Sequence, residues 1–260
     1  MKIAFFGTPE FSVPSLNALY KEGAQIEAVI TQPDKVFGRK KELKEPAVKE
    51  AAKALGLKVL QPNSKKELEE ITKELEVDFF VVIAYGMILS EKVLNTPKIA
   101  CINSHASMLP QYRGASPIHQ SLINEDQETG VSIMQMDNKM DHGGVYKIGK
   151  ISIEEEDNII SLSKKLSELS ANILPNCLRE IKEGKLEAKE QKHDQASYCH
   201  KIKLEDGIID WKKSVSSIKK KSLALAVWPG VYTFLAGKKL KLKELKVEQS
   251  QDDKQNGEIV

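Results

Sequence analysis

Asn103 and His105 lie two residues apart at the end of an apolar run, in the stretch CINSHASMLPQYRGASPI. Alternation along a strand sends residues i and i+2 to the same face, so both side chains should enter one cleft. The Asn amide can hold a carbonyl oxygen as it becomes an oxyanion. The imidazole can donate to that oxygen or shuttle a proton near neutral pH. A carboxylate is needed to orient the ring or to accept a proton. Asp141 in KMDHGG leads, because its glycine-flanked loop follows another strand end, and Asp137 is second. Such a set fits acyl-type transfer, in which an amine attacks a carbonyl carbon. Ser104 should point to the opposite face, and Cys101 sits one pleat deeper. Direct attack by the substrate's own amine therefore fits better than a covalent enzyme intermediate. Taken alone, Asn-x-His at a strand end is more often structural than catalytic. His119 reads as a packing or surface residue of a helix, and His193 and His200 read as loop and linker residues. His142, beside Asp141, competes for a role.

Apolar runs alternate with amphipathic stretches along the first two thirds of the chain. KIAFFG, QIEAVITQ, KVLQP, DFFVVIAYG, IACINSHA, TGVSIMQM and VYKIGKISI read as strands. Helical patterns over 13–23, 45–57, 64–77 and 161–183 separate or follow them. This βαβα order predicts an α/β fold, a Rossmann-type domain with a mostly parallel sheet. The acidic run 154–157 reads as a solvated turn. The first strand is followed by GTPEFSVP, which has one glycine where a dinucleotide site needs GxGxxG. A nicotinamide-dependent function is thereby disfavoured. Composition shifts near Lys192. Beyond it, alternating runs around a glycine-lysine turn predict a hairpin and a smaller β-rich domain. The expected division is a catalytic domain over 1–190, a linker over 191–204 and a C-terminal domain over 205–260.

With 41% hydrophobic and 29% charged residues, the 260-residue chain is an ordinary globular protein able to bury its own core. Three dispersed cysteines form no CxxC pair, which argues against a disulfide framework or a metal site and fits a cytoplasmic protein. No run is long enough to span a bilayer. Residues 201–260 hold 13 Lys against 8 acidic residues, a bias that points to a polyanionic partner or to a solvated lysine-rich surface. QPDKVFGRKKELKEP, residues 32–46, places Lys35, Arg39, Lys40, Lys41 and Lys44 around Gly38. Such a segment can grip phosphates near a helix start.

The stretch NSHASMLPQYRGASPIHQSLINEDQETGVSIMQMDNKMDHGG resembles the formyltransferases that use 10-formyltetrahydrofolate. FFGTPEFSVPSL, VITQPDKVFGRKK, VVIAYGMIL, SYCHKI, IDW and WPG carry the resemblance over nearly the whole chain. Within the family it is most similar to the branch that formylates initiator methionyl-tRNA. The resemblance implies Asn103 and His105 as oxyanion stabilisers, with Asp141 tuning His105 and assisting removal of the amine proton. It implies 10-formyltetrahydrofolate as co-substrate, with no metal. The folate would lie along Tyr85, Gly86, Met87, Ile88 and Leu89, the loop residues Ser107, Leu109 and Pro110, and Gln135 and Asp137. Lys35, Arg39, Lys40 and Lys41 would engage the tRNA, and the basic C-terminal domain would add phosphate contacts. A monomer with no membrane partner is expected. Three departures stand out: His142 where the family usually has Thr, Met108 for the first Leu of its loop motif, and an end at DKQNGEIV where the family's barrel normally continues. A trimmed barrel or a cut chain is expected from the last. An amino-sugar-nucleotide formyltransferase would share the trio without needing the basic segments. A silent folate- or RNA-binding homologue would not need the trio.

Overall fold

The structure is a computed structural model that describes residues 1–37, 42–243 and 245. It opens with β1 (Lys2–Gly7), α1 (Val13–Lys21) and β2 (Gln25–Ile30). A two-stranded antiparallel ribbon follows, β3 (Lys35–Phe37) and β4 (Glu42–Lys44), then α2 (Ala47–Ala54) and β5 (Val59–Leu60). Next come α3 (Lys65–Thr72), β6 (Phe79–Ile83), α4 (Glu91–Leu94) and β7 (Ala100–His105). The short β8 (Arg113–Gly114) leads to α5 (Pro117–Ile123), β9 (Glu128–Gln135), β10 (Val145–Ser152) and α6 (Ile159–Lys182). Last are β11 (Tyr198–Cys199), α7 (Val215–Ala224), β12 (Val231–Leu235) and β13 (Lys238–Leu242).

Seven strands form one sheet in the order β10-β9-β7-β6-β1-β2-β5. The five from β7 to β5 are parallel, while β9 and β10 are antiparallel to their neighbours. The chain runs from β1 outward through β2 to β5 and then crosses back to β6 on the other side of β1, and such a switch point opens a crevice beyond the carboxyl ends. Alternate residues of β1 feed two cores. Ile3 and Phe5 pack in one cluster with Leu16 of α1 and Leu162 and Leu166 of α6. Ala4 and Phe6 pack in the other with Leu68 of α3 and Val93 of α4. Each fully buried Phe of this strand contributes about 1.5–3 kcal/mol. The two cores cover the two faces of the sheet.

The acidic run at 154–157 is a turn exposed at Glu154, Glu155 and Glu156, as its charge suggests, but its last residue departs from that reading. Asp157 is buried and accepts from the Glu154 N–H (2.8 Å), the Ser161 hydroxyl (2.8 Å) and Lys165 (2.7 Å). The Asn158 side chain caps α6 by accepting from the Ile160 and Ser161 N–H groups, so the helix starts two residues earlier than its apolar periodicity suggests. Burial alone would raise the Asp157 carboxyl, but the Lys165 ammonium, the Glu154 N–H and the Ser161 hydroxyl outweigh it and hold it below the usual value. A depressed carboxylate stabilises above its unfolded value and loses that contribution as pH falls through the folded one. Asp157→Ala should therefore lower unfolding stability at pH 7 by about 1–3 kcal/mol. Denaturant titrations of mutant and wild type should converge as pH drops below about 4. A gap that stays constant with pH would contradict this role.

Lys219 pairs with Glu155 (3.3 Å) and Glu156 (2.6 Å), and Lys220 donates to the Glu154 and Glu155 carbonyls. The acidic turn thus latches α7 onto the body. The hairpin turn falls at Ala236-Gly237, both at positive φ, rather than at glycine-lysine. Two such residues match the twist of a two-residue hairpin.

Candidate active site

Asn103 and His105 occupy the carboxyl end of β7, between β6 and β9, and both reach toward one carboxylate. Asn103 Nδ2 lies 3.5 Å and His105 Nδ1 lies 3.7 Å from Asp141 Oδ1. Both distances are long for hydrogen bonds, so the three groups converge on one space without being locked to one another. His105 Nε2 lies 3.0 Å from the Tyr112 carbonyl oxygen. A carbonyl only accepts, so that contact assigns the proton to Nε2 and leaves Nδ1 facing Asp141. Asp141 Oδ2 accepts the Gly114 N–H at 2.8 Å. The Asp141 backbone has φ +48°, an uncommon value for a non-glycine residue that persists only where neighbours fix it. His105 is 7% and Asp141 13% exposed at the side chain, so their charges act through less water than at a surface.

The alternation argument holds on the other face too. Ser104 Oγ is hydrogen-bonded to Ser170 Oγ of α6 at 2.7 Å, on the core side. Cys101 is buried against Met136, and burial pushes its thiol far above the ordinary value. Neither is poised as a nucleophile. Asp137, the second candidate carboxylate, instead accepts from His142 Nδ1 at 2.7 Å, and the His142 ring stacks on His193 at 4.0 Å.

A cleft of about 580 Å³ contains the trio. Tyr85, Gly86 and Met87 line one part of it. Phe11, Ile118, His119 and Ile159 line another, largely apolar part. The remaining residues expected to hold folate do not line it. Ile88 is exposed, and Leu89 belongs to the core beneath. Ser107 and Leu109 are buried: the Ser107 hydroxyl donates to the Gln111 carbonyl, and the Leu109 N–H donates to Ser132 Oγ. Pro110 follows a cis peptide and accepts the Ser197 N–H through its carbonyl. Gln135 accepts from the Tyr146 hydroxyl at 3.1 Å. Ser107, Leu109 and Pro110 thus brace the turn that returns the chain to Tyr112.

Several site groups escape a residue-by-residue reading of the sequence. The Tyr112 carbonyl and Gly114 N–H are backbone atoms. Gln191 donates to the Asp141 carbonyl from fifty residues away. His119 follows the turn at the start of α5 and stands in the cleft wall, where burial lowers its pKa. Its place one turn after a loop already singled out was the available signal.

Lys35 and Lys44 sit on the ribbon β3–β4, whereas Arg39, Lys40 and Lys41 lie outside the described residues. Lys49 of α2 grips both ends of the ribbon. It donates to both Asp34 oxygens (2.8 and 2.7 Å) and lies 3.1 Å from Glu45 Oε1. Among the described residues, no cluster of His, Cys, Asp and Glu could hold a metal ion. No helix among them is long and apolar enough to cross a membrane.

A mostly parallel sheet whose switch-point crevice carries an amide donor, an imidazole and a carboxylate defines an α/β enzyme built for acyl-type transfer. Residues 1–178 match the formyl transferase family, and residues 201–260 match the formyl transferase C-terminal domain. The chain belongs to the formyl transferase family. The methionyl-tRNA formyltransferase of Caldanaerobacter subterraneus subsp. tengcongensis is 44% identical over 264 residues, covering 100% of this chain and 85% of that protein. That of Bacillus subtilis is 40% identical over 243 residues, covering 93% and 77%. Among solved structures, the N-formyltransferase from Helicobacter canadensis, in complex with folinic acid and dTDP-3-aminofucose, superposes with a TM-score of 0.73. Its sequence is 22% identical, and the match covers 91% of this chain and 85% of that one. A 4-N formyltransferase from Francisella tularensis gives 0.74 at 17% identity, covering 96% and 98%. At those identities the structures speak for the fold alone.

Proposed function

We propose that this chain transfers the formyl group of 10-formyltetrahydrofolate to the α-amine of initiator methionyl-tRNA. The convergence of Asn103, His105 and Asp141 in one cleft carries the reading, and relatives at 40–44% identity named for methionyl-tRNA support the acceptor. Bound 10-formyltetrahydrofolate supplies the formyl carbon. The 580 Å³ cleft is in the range that holds small cofactors, and the Tyr85 hydroxyl is buried beside it with no hydrogen-bond partner among the described residues. Tyr85, Gly86 and Met87 are the residues best placed to hold that donor. Ile88, Leu89, Ser107, Leu109, Pro110, Gln135 and Asp137 would shape its surroundings rather than touch the space described.

In this mechanism the amine nitrogen forms a bond to the formyl carbon and the bond from that carbon to the donor nitrogen breaks. Asn103 Nδ2–H donates to the formyl oxygen as it gains charge. His105, held by Nε2–H on the Tyr112 carbonyl, presents Nδ1 to the same space and donates from it when protonated. Asp141 balances that proton and receives the one lost by the amine, and the departing donor nitrogen takes a proton in turn from the His105–Asp141 pair, which leaves the pair as it began. The apolar wall of Phe11, Ile118 and Ile159 fits an uncharged acceptor side chain.

Residues 1–190 would act as the catalytic unit and 205–260 as the tRNA-contacting unit, joined through 191–204. Lys212, Lys213, Lys238, Lys239 and Lys241 are exposed for phosphate contact, whereas Lys219 and Lys220 are turned onto the acidic turn. Lys35, Arg39, Lys40 and Lys41 would contact the acceptor end, and Lys49 would aim the β3–β4 ribbon. Lys49→Met should raise KM for methionyl-tRNA about tenfold, with the donor KM unchanged. Steady-state kinetics with each substrate varied in turn checks this, and an unchanged tRNA KM would remove Lys49 from the account. The reading as a whole is tested by offering methionyl-tRNA and a dTDP-linked amino sugar in parallel with one donor. Formyl should appear on the tRNA-borne amine, and transfer to the sugar alone would overturn the assignment.

A further inference from the structure

Gln191 lies in the segment that leads away from the catalytic unit, yet it is 7% exposed, and its four side-chain hydrogen bonds among the described residues all bear on the site. Its Nε2 donates to the Asp141 carbonyl (2.9 Å) and to the Gly143 carbonyl (2.7 Å). Its Oε1 accepts from Arg113 Nε (3.2 Å) and Nη2 (2.7 Å). Arg113 is itself 1% exposed, and its other contacts are the Tyr198 hydroxyl and His193 Nδ1. Among the described residues it has no carboxylate partner, so the Gln191 oxygen is its closest acceptor.

The placement of Arg113 matters. The residue before it offers the carbonyl that fixes His105 Nε2, and the residue after it offers the N–H that binds Asp141 Oδ2. Gln191 therefore ties the backbone that steadies His105 to the backbone that carries Asp141. Only an amide can do this. It presents an acceptor to a buried cation at one atom and two donors to two carbonyls at the other. A carboxylate would satisfy Arg113 but would face both carbonyls with lone pairs. Asp141 also holds a positive φ, which requires that its surroundings over-determine it.

We propose that Gln191 is a positioning residue that sets Asp141 against Asn103 and His105. This rests on the formyl-transfer reading and extends it: proton handling in the cleft depends on the segment joining the two parts of the chain. Gln191→Glu separates positioning from folding, because it keeps an acceptor for Arg113 while removing the donors to the loop. It should lower kcat about 10- to 100-fold with both KM values within about twofold, in a variant that still folds and binds the donor. In an Asp141→Asn background the same change should add less than about twofold, since the residue acts through Asp141. Undiminished kcat in the single variant, or fully multiplicative losses in the double variant, would overturn the proposal.

Hydrogen exchange measured by mass spectrometry gives a readout independent of any acceptor. Gln191→Glu should speed exchange in peptides covering residues 137–144 and leave the β1 and β6 peptides unchanged. Exchange unaltered in that loop, or raised evenly over the chain, would overturn the role whether or not the variant is less stable. A wild type that does not formylate methionyl-tRNA would instead refute the functional reading, and exchange would still judge Gln191.

Discussion

Replacing Asn103 or His105 with alanine should reduce kcat for formyl transfer by about two to four orders of magnitude. The size follows from where the groups act. Charge on the formyl oxygen develops only as the amine attacks, so a donor aimed at it stabilises the transition state far more than the bound substrates. The loss should fall in kcat, with the donor KM little changed. Neither side chain is a keystone of the apolar cores: Asn103 is half-buried, and His105 faces the cleft and a single carbonyl. Circular dichroism and melting of the variants should stay close to wild type. Retained turnover in Asn103→Ala or His105→Ala would remove that residue from the oxyanion role.

Asp141→Asn should be as damaging, again by about two to four orders in kcat, although it barely changes shape. One oxygen of Asp141 receives the Gly114 N–H and the other faces Asn103 Nδ2 and His105 Nδ1. An amide can keep one of these contacts. Its NH2 then points either at the Gly114 donor or at the two side-chain nitrogens, and the negative charge that balances a protonated His105 is gone. Presteady-state transfer from labelled donor to methionyl-tRNA would read the loss directly. A variant within about threefold of wild type would show that Asp141 serves only to hold the Gly114 turn.

The part of the site legible in the sequence is the part that one element encodes. Period-two alternation placed Asn103 and His105 on one face of β7 and Ser104 on the other, and the structure keeps all three there. The βαβα order also gave the parallel sheet and the crevice at its carboxyl end. What stayed hidden depends on chain segments that meet only in three dimensions. Gln191 is a polar residue near a composition change, and nothing local announces that it donates to the Asp141 carbonyl. Glu154 to Glu156 are exposed as their charge suggests, but the burial of Asp157 depends on Lys165 and the start of α6, partners that a run of like charge does not announce. Backbone atoms such as the Gly114 N–H carry no side-chain signature at all. The resemblance to a family supplied candidate folate residues over 85–89, but the loop after β6 divides that run: Tyr85 to Met87 reach the cleft, Ile88 turns to solvent and Leu89 enters the core.

The most direct test is formyl transfer from labelled 10-formyltetrahydrofolate to methionyl-tRNA, with initiator and elongator species run side by side. The account predicts label on the methionyl amine of the initiator, recovered as N-formylmethionine after hydrolysis and lost in Asp141→Asn. Equal rates with the elongator would contradict the preference for the initiator. No label on either tRNA, from enzyme that still binds the donor, would contradict the account itself.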